Sequence, residues 1–407
     1  MSSRLLPAVA AALVLAACSA PRPAAPATGG GAADFDRMWT FVRDHYAYFA
    51  EKQTDWDAVG AAYRPLAATA VGARAQIAML EAALDELYDP HCHLSTNLAT
   101  SWRLPPYDLW AEWRDDVAVV TDVRAGSAAA AAGLAPGAIL VAVDGVAIRD
   151  AAAARGPHHL RAPDPEAMRW ALLSVLSGRH DRDRRLTVRG GDGSERAVTI
   201  PDRSTPDDPP PALEARMLDG RILWVRIASF GDTDTIAAFD AALDAHRDAG
   251  AIVFDVRANP GGDTAVAVPI MGRLVATRVP YAQMARRDGA RLGARWTEYV
   301  EPRGPWTFTG PVAVVVDRFS QSMAEGFAMG LAGMGRAVVV GDGTTGLGAG
   351  VAREHLPGID ADVQISAEPV YHLDGTPRER WRPQVVIAPA AGRDVALEAA
   401  IAAVAPR

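Results

Sequence analysis

Lysine is almost missing from this chain. Of 407 residues only Lys52 is lysine, so the remaining basic side chains are arginines. A base built on a neutral, desolvated amine therefore has a single candidate. Cysteine is equally scarce, with Cys18 and Cys92 alone, which excludes a multi-bridge disulfide scaffold. A positive charge excess is absent too. The net charge of −8 excludes nucleic acid as the main partner, because phosphate binding wants a basic surface. Beyond the N-terminus no apolar run is long enough to cross a membrane. What is present is a 49% apolar content, enough for a sizeable core, in a length that suits two or three domains.

The first residues read as an export signal. Arg4 precedes an apolar run, Leu5 to Ala17, too short for an ordinary spanning helix. Small residues follow, and Leu15-Ala16-Ala17-Cys18 resembles a bacterial lipobox. The resemblance implies cleavage before Cys18, lipidation of its thiol and, with Ser19 next, an outer-membrane destination in a Gram-negative cell. Cys92 would then be the one cysteine left unmodified, so no intrachain bridge can form. The expected localisation is the periplasmic side of the envelope. Residues 18–33, mostly Ala, Pro and Gly, read as a flexible tether after the 1–17 signal.

Three patterns divide the rest. In 34–99 Phe35, Trp39, Val42, Tyr46 and Phe49 recur at helical spacing, as do Ile77, Leu80, Leu84 and Leu87, before Pro90 breaks the pattern. This predicts a small helical domain. In 100–204 short β-like runs such as 117–123, 139–143 and 186–188 predict a β-rich domain, with an inserted loop or extra helix between Ala151 and Arg185. In 205–407 apolar strands at 222–227, 252–256, 312–316, 337–340 and 384–387 alternate with helical segments, which predicts an α/β unit with a largely parallel sheet.

Two turns in that last unit carry chemistry. Ser322 follows the 312–316 strand and opens a helical segment, a place where a hydroxyl is exposed and a helix N-terminus favours developing negative charge. Asp255-Val256-Arg257-Ala258-Asn259-Pro260-Gly261-Gly262 ends the preceding strand in a turn whose glycines free backbone N–H groups. A hydroxyl and a cluster of N–H donors are the two parts of an acyl-transfer site.

Four blocks in order resemble the tricorn-core and C-terminal-processing family of serine peptidases. They are Leu87-Tyr88-Asp89-Pro90-His91, the Asp255–Gly262 turn, Ser322-Met323-Ala324-Glu325 with Gly341–Gly346 behind it, and Asp374-Gly375-Thr376-Pro377-Arg378-Glu379. Between the first two, Ala125–Ala128, Ala132–Leu140 and Val143-Asp144-Gly145 resemble a PDZ domain. The resemblance implies a crotonase-like α/β protease core beside a small N-terminal helical domain and a PDZ-like β-rich domain. It implies Ser322 as nucleophile, with Gly261, Gly262 and Met323 supplying the oxyanion hole. One branch of the family uses a lysine base after the nucleophile helix, and here that position is Leu347. The other branch uses Ser, His and Glu, which implies His91 as base, oriented by Glu379, with His93 the alternative base. Pro90 stands where that branch has a relay serine.

The expected activity is a serine endopeptidase acting on peptides or unfolded protein C-terminal tails, membrane-bound through its lipid and without cofactor or metal. Its activity is expected to fall below roughly pH 6 to 7, the ordinary histidine range. Two other readings stay open. His91 and His93 with nearby Asp89 have the spacing of a metal-ligand pair. A PDZ-bearing scaffold or small-ligand-binding lipoprotein of the same fold needs no chemistry at all.

Overall fold

The computed structural model describes residues 30–202, 211–388, 390 and 392–405. The signal segment, Cys18 and most of the expected tether lie outside the described residues. The first helix, Gly30–His45, begins inside the expected tether. Phe35, Met38 and Val42 on it are fully buried, and the helix stops before Tyr46, which is buried from the turn beyond. A second helix, Trp56–Thr69, lies where no periodicity marked one, because its buried face is largely Gly60 and Ala67 beside Trp56 and Val59. Asp55 caps it by accepting the Ala58 N–H at 3.0 Å. Ala73–Asp85 forms the third.

These helices share their core with the peptidase half. Leu80, Leu84 and Leu87 pack with Leu356, Val363 and Ile365 of a long antiparallel hairpin, Ala349–Leu356 and Ala361–Tyr371. The short strand His93–Leu94 joins that hairpin, pairing with Gln364 and Val363. Val279–Met284 and Trp296–Val300 complete this second sheet.

The expected parallel sheet is present. Its order runs 385–386, 338–341, 312–316, 251–255, 222–227 and 213–218, with only the last strand antiparallel. Ala251–Asp255 and Val312–Val316 are buried at every position, as strands covered on both faces require. Their C-terminal ends carry the two turns singled out above.

The PDZ-like unit is an antiparallel sheet of strands 109–114, 117–123, 139–143, 184–189 and 195–200. The inserted segment folds as helix Pro165–Ser177, with Asp164 capping it and Pro165 in its first turn. Arg184 closes the insertion against Asp108 with two bonds of 2.6 Å, both side chains almost wholly buried. Removing either partner would strand a buried charge, at a cost of about 3–5 kcal/mol.

This unit lies directly on the two turns. Trp110 and Leu173 pack against Phe319 and Ala258, one from each turn. Gln321 Nε2 donates to Pro106 O at 3.3 Å. Behind that contact Asp122 of the PDZ-like sheet meets Asp342 of the core as a carboxyl pair. Burial, the shared hydrogen bond and the Asp122 charge push Asp342 up to about 8 from an ordinary 3.8. The folded chain thus holds a proton here that the unfolded chain releases. The contribution is complete below pH 3.8 and is lost as pH rises toward 8. Asp342→Asn should flatten this slope. Thermal unfolding at pH 6 and pH 9 should show a smaller loss of Tm for the variant than for the wild type, and equal losses would remove the pair from the pH response.

Candidate active site

Asp317 follows the 312–316 strand and ties the two turns together. Its Oδ1 accepts the N–H groups of Ala258 and Phe319, both at 3.0 Å, and Ser320 Oγ at 3.2 Å. Ser320 is fully buried and donates to Val256 O at 2.8 Å, so its hydroxyl braces the turn. Two residues on, Ser322 is partly exposed and stands at φ +50° and ψ −113° as the N-cap of helix Met323–Gly333. A side-chain-bearing residue in that region costs about 1–3 kcal/mol and is held only by its surroundings.

The holder is Glu325. Its carboxylate is fully buried and accepts three N–H groups: Ser322 at 2.8 Å, Gly346 at 2.7 Å and Leu347 at 3.0 Å. Burial raises its pKa, against the Arg378 charge and these bonds. Glu325 thus clamps the Ser322 turn to the 344–347 loop.

The glycine turn presses on Ser322 from the other side. Gly261 is at φ +99°, and a Cβ there would lie 2.7 Å from Ser322 Cβ and 2.9 Å from Met323 N. Gly262 is at φ +139°, and a Cβ would strike the Phe230 backbone at 2.1 Å. No side chain fits at either position. Asn259, fully buried, organises the turn: Nδ2 donates to Ile227 O at 2.9 Å, and Oδ1 accepts the Gly261 N–H at 2.7 Å. One of the three expected donors is thereby engaged. Met323, first residue of its helix, has no acceptor one turn back.

The expected base lies deeper. His91 is 7% exposed, and its Nδ1 is buried without a partner. Burial lowers its pKa to about 4, opposed by the Asp89 charge and aided by Arg378 and His93. The ring is neutral at physiological pH, well outside the range assumed from an ordinary histidine. His93 is held at both nitrogens, by Leu94 O at 2.9 Å and Gln364 Nε2 at 3.0 Å. Because an amide nitrogen only donates, His93 Nε2 accepts and its Nδ1 carries the proton. Its lone pair is spent.

Glu379 lies in the turn Arg378–Arg380, with Oε2 buried and unpartnered and its pKa raised first by burial. It crowds Gly348 together with the unpartnered Tyr48 hydroxyl: a Cβ there would meet Glu379 Oε2 at 2.4 Å and Tyr48 Oη at 2.3 Å. Neighbouring Arg378 is buried, donating to Leu347 O at 2.6 Å and Ala349 O at 2.9 Å. Leu347 itself is buried.

The structure therefore brings Ser322, Gly261, Gly262 and Met323 into one place. His91 and Glu379 converge on Arg378, and among the described residues no hydrogen bond links either to Ser322. The carboxylate beside His91 is Asp89, which accepts the His91 backbone N–H at 3.0 Å and the Tyr46 hydroxyl at 3.1 Å. Sequence reasoning missed Asp317, Tyr48 and Arg378. Asp317 had a signal, an acidic residue closing an all-valine strand end. The other two had none. Lys52 reaches the cavity of about 300 Å³ that Glu379 lines, with its ammonium on Tyr88 O at 3.1 Å and over the Tyr88 ring. Among the described residues no three His, Cys, Asp or Glu side chains gather as a metal site. Cys92 is a buried thiol whose pKa burial raises. No described helix is long and apolar enough to cross a membrane.

Comparison with known proteins matches these features. Residues 221–386 match peptidase family S41, residues 32–75 the tricorn protease C1 domain and residues 119–156 a PDZ domain. The fold is similar to that of mature CPAF complexed with lactacystin, with a TM-score of 0.57 at 14% identity over 88% of this chain and 93% of that one. It is similar to the photosystem II D1 C-terminal processing protease, with a TM-score of 0.57 at 17% identity over 92% and 97%. A peptidase described as putative from Parabacteroides merdae gives 0.52 at 18% identity over 91% and 95%. The chain is a serine-type peptidase whose core segment, 221–386, matches peptidase family S41, preceded by segments that match the tricorn protease C1 domain and a PDZ domain.

Proposed function

We propose that this chain is a lipid-anchored envelope endopeptidase that cleaves peptides or unfolded protein tails with Ser322 as nucleophile and a neutral His91 as its base. The observation that carries the reading is the held geometry of Ser322, a strained turn with a glycine packed on its Cβ, in a chain whose dyad-lysine position is a buried leucine. Ser322 Oγ attacks the scissile carbonyl while its proton passes to His91, which returns it to the leaving amine. Developing negative charge on the carbonyl oxygen falls at the N-terminus of the nucleophile helix, where Met323 and Gly262 N–H groups serve it. Gly261 N–H stays with Asn259 and shapes the turn. One such donor is worth about 3 kcal/mol in the transition state. Glu379, with a free buried oxygen, is the group available to steady the imidazolium once the His91 segment moves toward Ser322. In this reading substrate binding supplies the closure that brings His91 to Ser322.

Anchoring through lipidated Cys18 rests on the lipobox-like Leu15–Cys18. A lipoprotein from Streptococcus agalactiae has a similar fold, at 11% identity and a TM-score of 0.52.

Peptide hydrolysis tests the assignment. Ser322→Ala and His91→Gln should each lower kcat/KM by at least about 10³-fold, as removal of a nucleophile or base does, while Lys52→Met retains activity; loss of activity in Lys52→Met with retention in His91→Gln would move the base to the lysine. The pH profile follows from burial. A base with a pKa of about 4 stays neutral at pH 5, so kcat/KM should hold to pH 5 and fall only as pH drops through about 4. A fall centred between pH 6 and 7 would mean a solvated histidine. Metabolic palmitate labelling should mark the wild type and not Cys18→Ala; equal labelling would place the lipid elsewhere, and none in either would dismiss the anchor.

A further inference from the structure

We infer that the cavity beside Glu379 is a subsite for a carboxylate of the peptide substrate, with Arg318, Arg380 and Arg382 as the residues that select it. The inference rests on the peptidase reading and adds the substrate class.

The cavity lies between the helical segment, the PDZ domain and the core, with a volume of about 300 Å³. It is bordered by the 344–347 loop, whose Gly346 and Leu347 N–H groups share the Glu325 carboxylate with Ser322 N–H. It is thus one layer from the nucleophile. Most arginines in this chain are neutralised by Asp or Glu, as in Arg184–Asp108 and Arg257–Asp394. Among the described residues the three in this wall form no such pair. Arg318 lies over the Trp110 ring at 5.3 Å, Arg382 donates to the carbonyls of Trp381 at 2.7 Å and Glu379 at 3.3 Å, and Arg380 is exposed. Arg318 feels Asp342, which burial and the hydrogen-bonded Asp122 carboxyl push up to about 8, and among the described residues forms an ion pair with neither. The wall repels itself: after burial, the charges of Arg318 and Arg169 are what lower the Arg382 pKa.

Acidic residues line the cavity too, and among the described residues none forms an ion pair with these three arginines. Glu166 is engaged by Arg169 at 3.4 Å and Lys52 at 3.8 Å. Burial raises the Glu379 pKa, opposed by the charges of Arg378 and Arg380. Glu51 and Asp89 enter from the helical segment. Three guanidinium groups that form no ion pair among the described residues, around a cavity of about 300 Å³ bordered by the 344–347 loop, are matched by a carboxylate that accepts forked N–H donors.

Two sources supply that carboxylate, an Asp or Glu side chain near the scissile bond or the free C-terminus of a tail. Paired peptides separate them, each with Asp or Asn, Glu or Gln at one position, and each with a free or amidated C-terminus. At low salt one pair should show a preference of about tenfold in kcat/KM, the scale of a charge-assisted contact. The preference should shrink at high salt and fall toward one in Arg380→Gln and Arg318→Gln. Arg380 is exposed, so its replacement keeps the test open if Arg318→Gln fails to fold. Fluorescence anisotropy of the same labelled peptides on Ser322→Ala protein reads binding without catalysis. A preference in binding supports the subsite even where turnover fails, an outcome that would count against Ser322 chemistry alone. Equal binding and equal kcat/KM within every pair, in a wild type that cleaves, would overturn the subsite and leave the peptidase reading standing.

Discussion

One buried carboxylate holds the site in shape. Glu325 spends its oxygens on the N–H groups of Ser322, Gly346 and Leu347, and so fixes a serine in backbone space that serine avoids. The strain is local, about 1–3 kcal/mol, and three bonds to a charged acceptor in a dry setting exceed it. Everything near the nucleophile inherits this constraint. The glycine turn fits against Ser322 only because its φ values and missing side chains allow contact at van der Waals range. Asp317 and the Gln321 N–H bond to Asn259 O then join the two turns, so Ser322 and the glycine turn form one unit on the ends of two central strands. Rigidity there is what preorganised electrostatic stabilisation needs.

The proposed base is different in kind. His91 belongs to the segment after the third helix, shares its neighbourhood with Asp89 and lacks a partner on Nδ1. A neutral, desolvated imidazole is a competent proton acceptor, but it has to be brought to the hydroxyl. The PDZ domain rests on both active-site turns through Trp110 and Leu173, and the Asp122–Asp342 pair joins the same surfaces. The His91 segment is fixed to the core hairpin through Gln364, which donates to His91 O at 3.2 Å, and among the described residues no hydrogen bond joins the His91 ring to Ser322.

Much of the fold was legible in the sequence, for a physical reason. Fully buried parallel strands read as unbroken apolar runs, and 251–255 and 312–316 are such runs. Turn glycines mark themselves because no other residue fits, as Gly261 and Gly262 do. The second sheet was not legible. Ala349–Leu356 buries only its two ends and exposes Arg353 and His355, so it gives no unbroken apolar run. The helix Trp56–Thr69 buries mostly small residues and gives little periodic signal. In the site, residue identities could be read from local motifs, whereas partners could not. The bond that occupies His93 comes from Gln364, 271 residues away, and the burial that takes His91 to a pKa of about 4 depends on three segments meeting.

The most direct measurement is the rate at which a fluorophosphonate labels Ser322, followed by mass spectrometry of the modified peptide in wild type and His91→Gln. The account predicts labelling at Ser322 that titrates near pH 4 and slows by orders of magnitude in His91→Gln. Labelling of equal rate in both proteins, or none at Ser322 in the wild type, would contradict it.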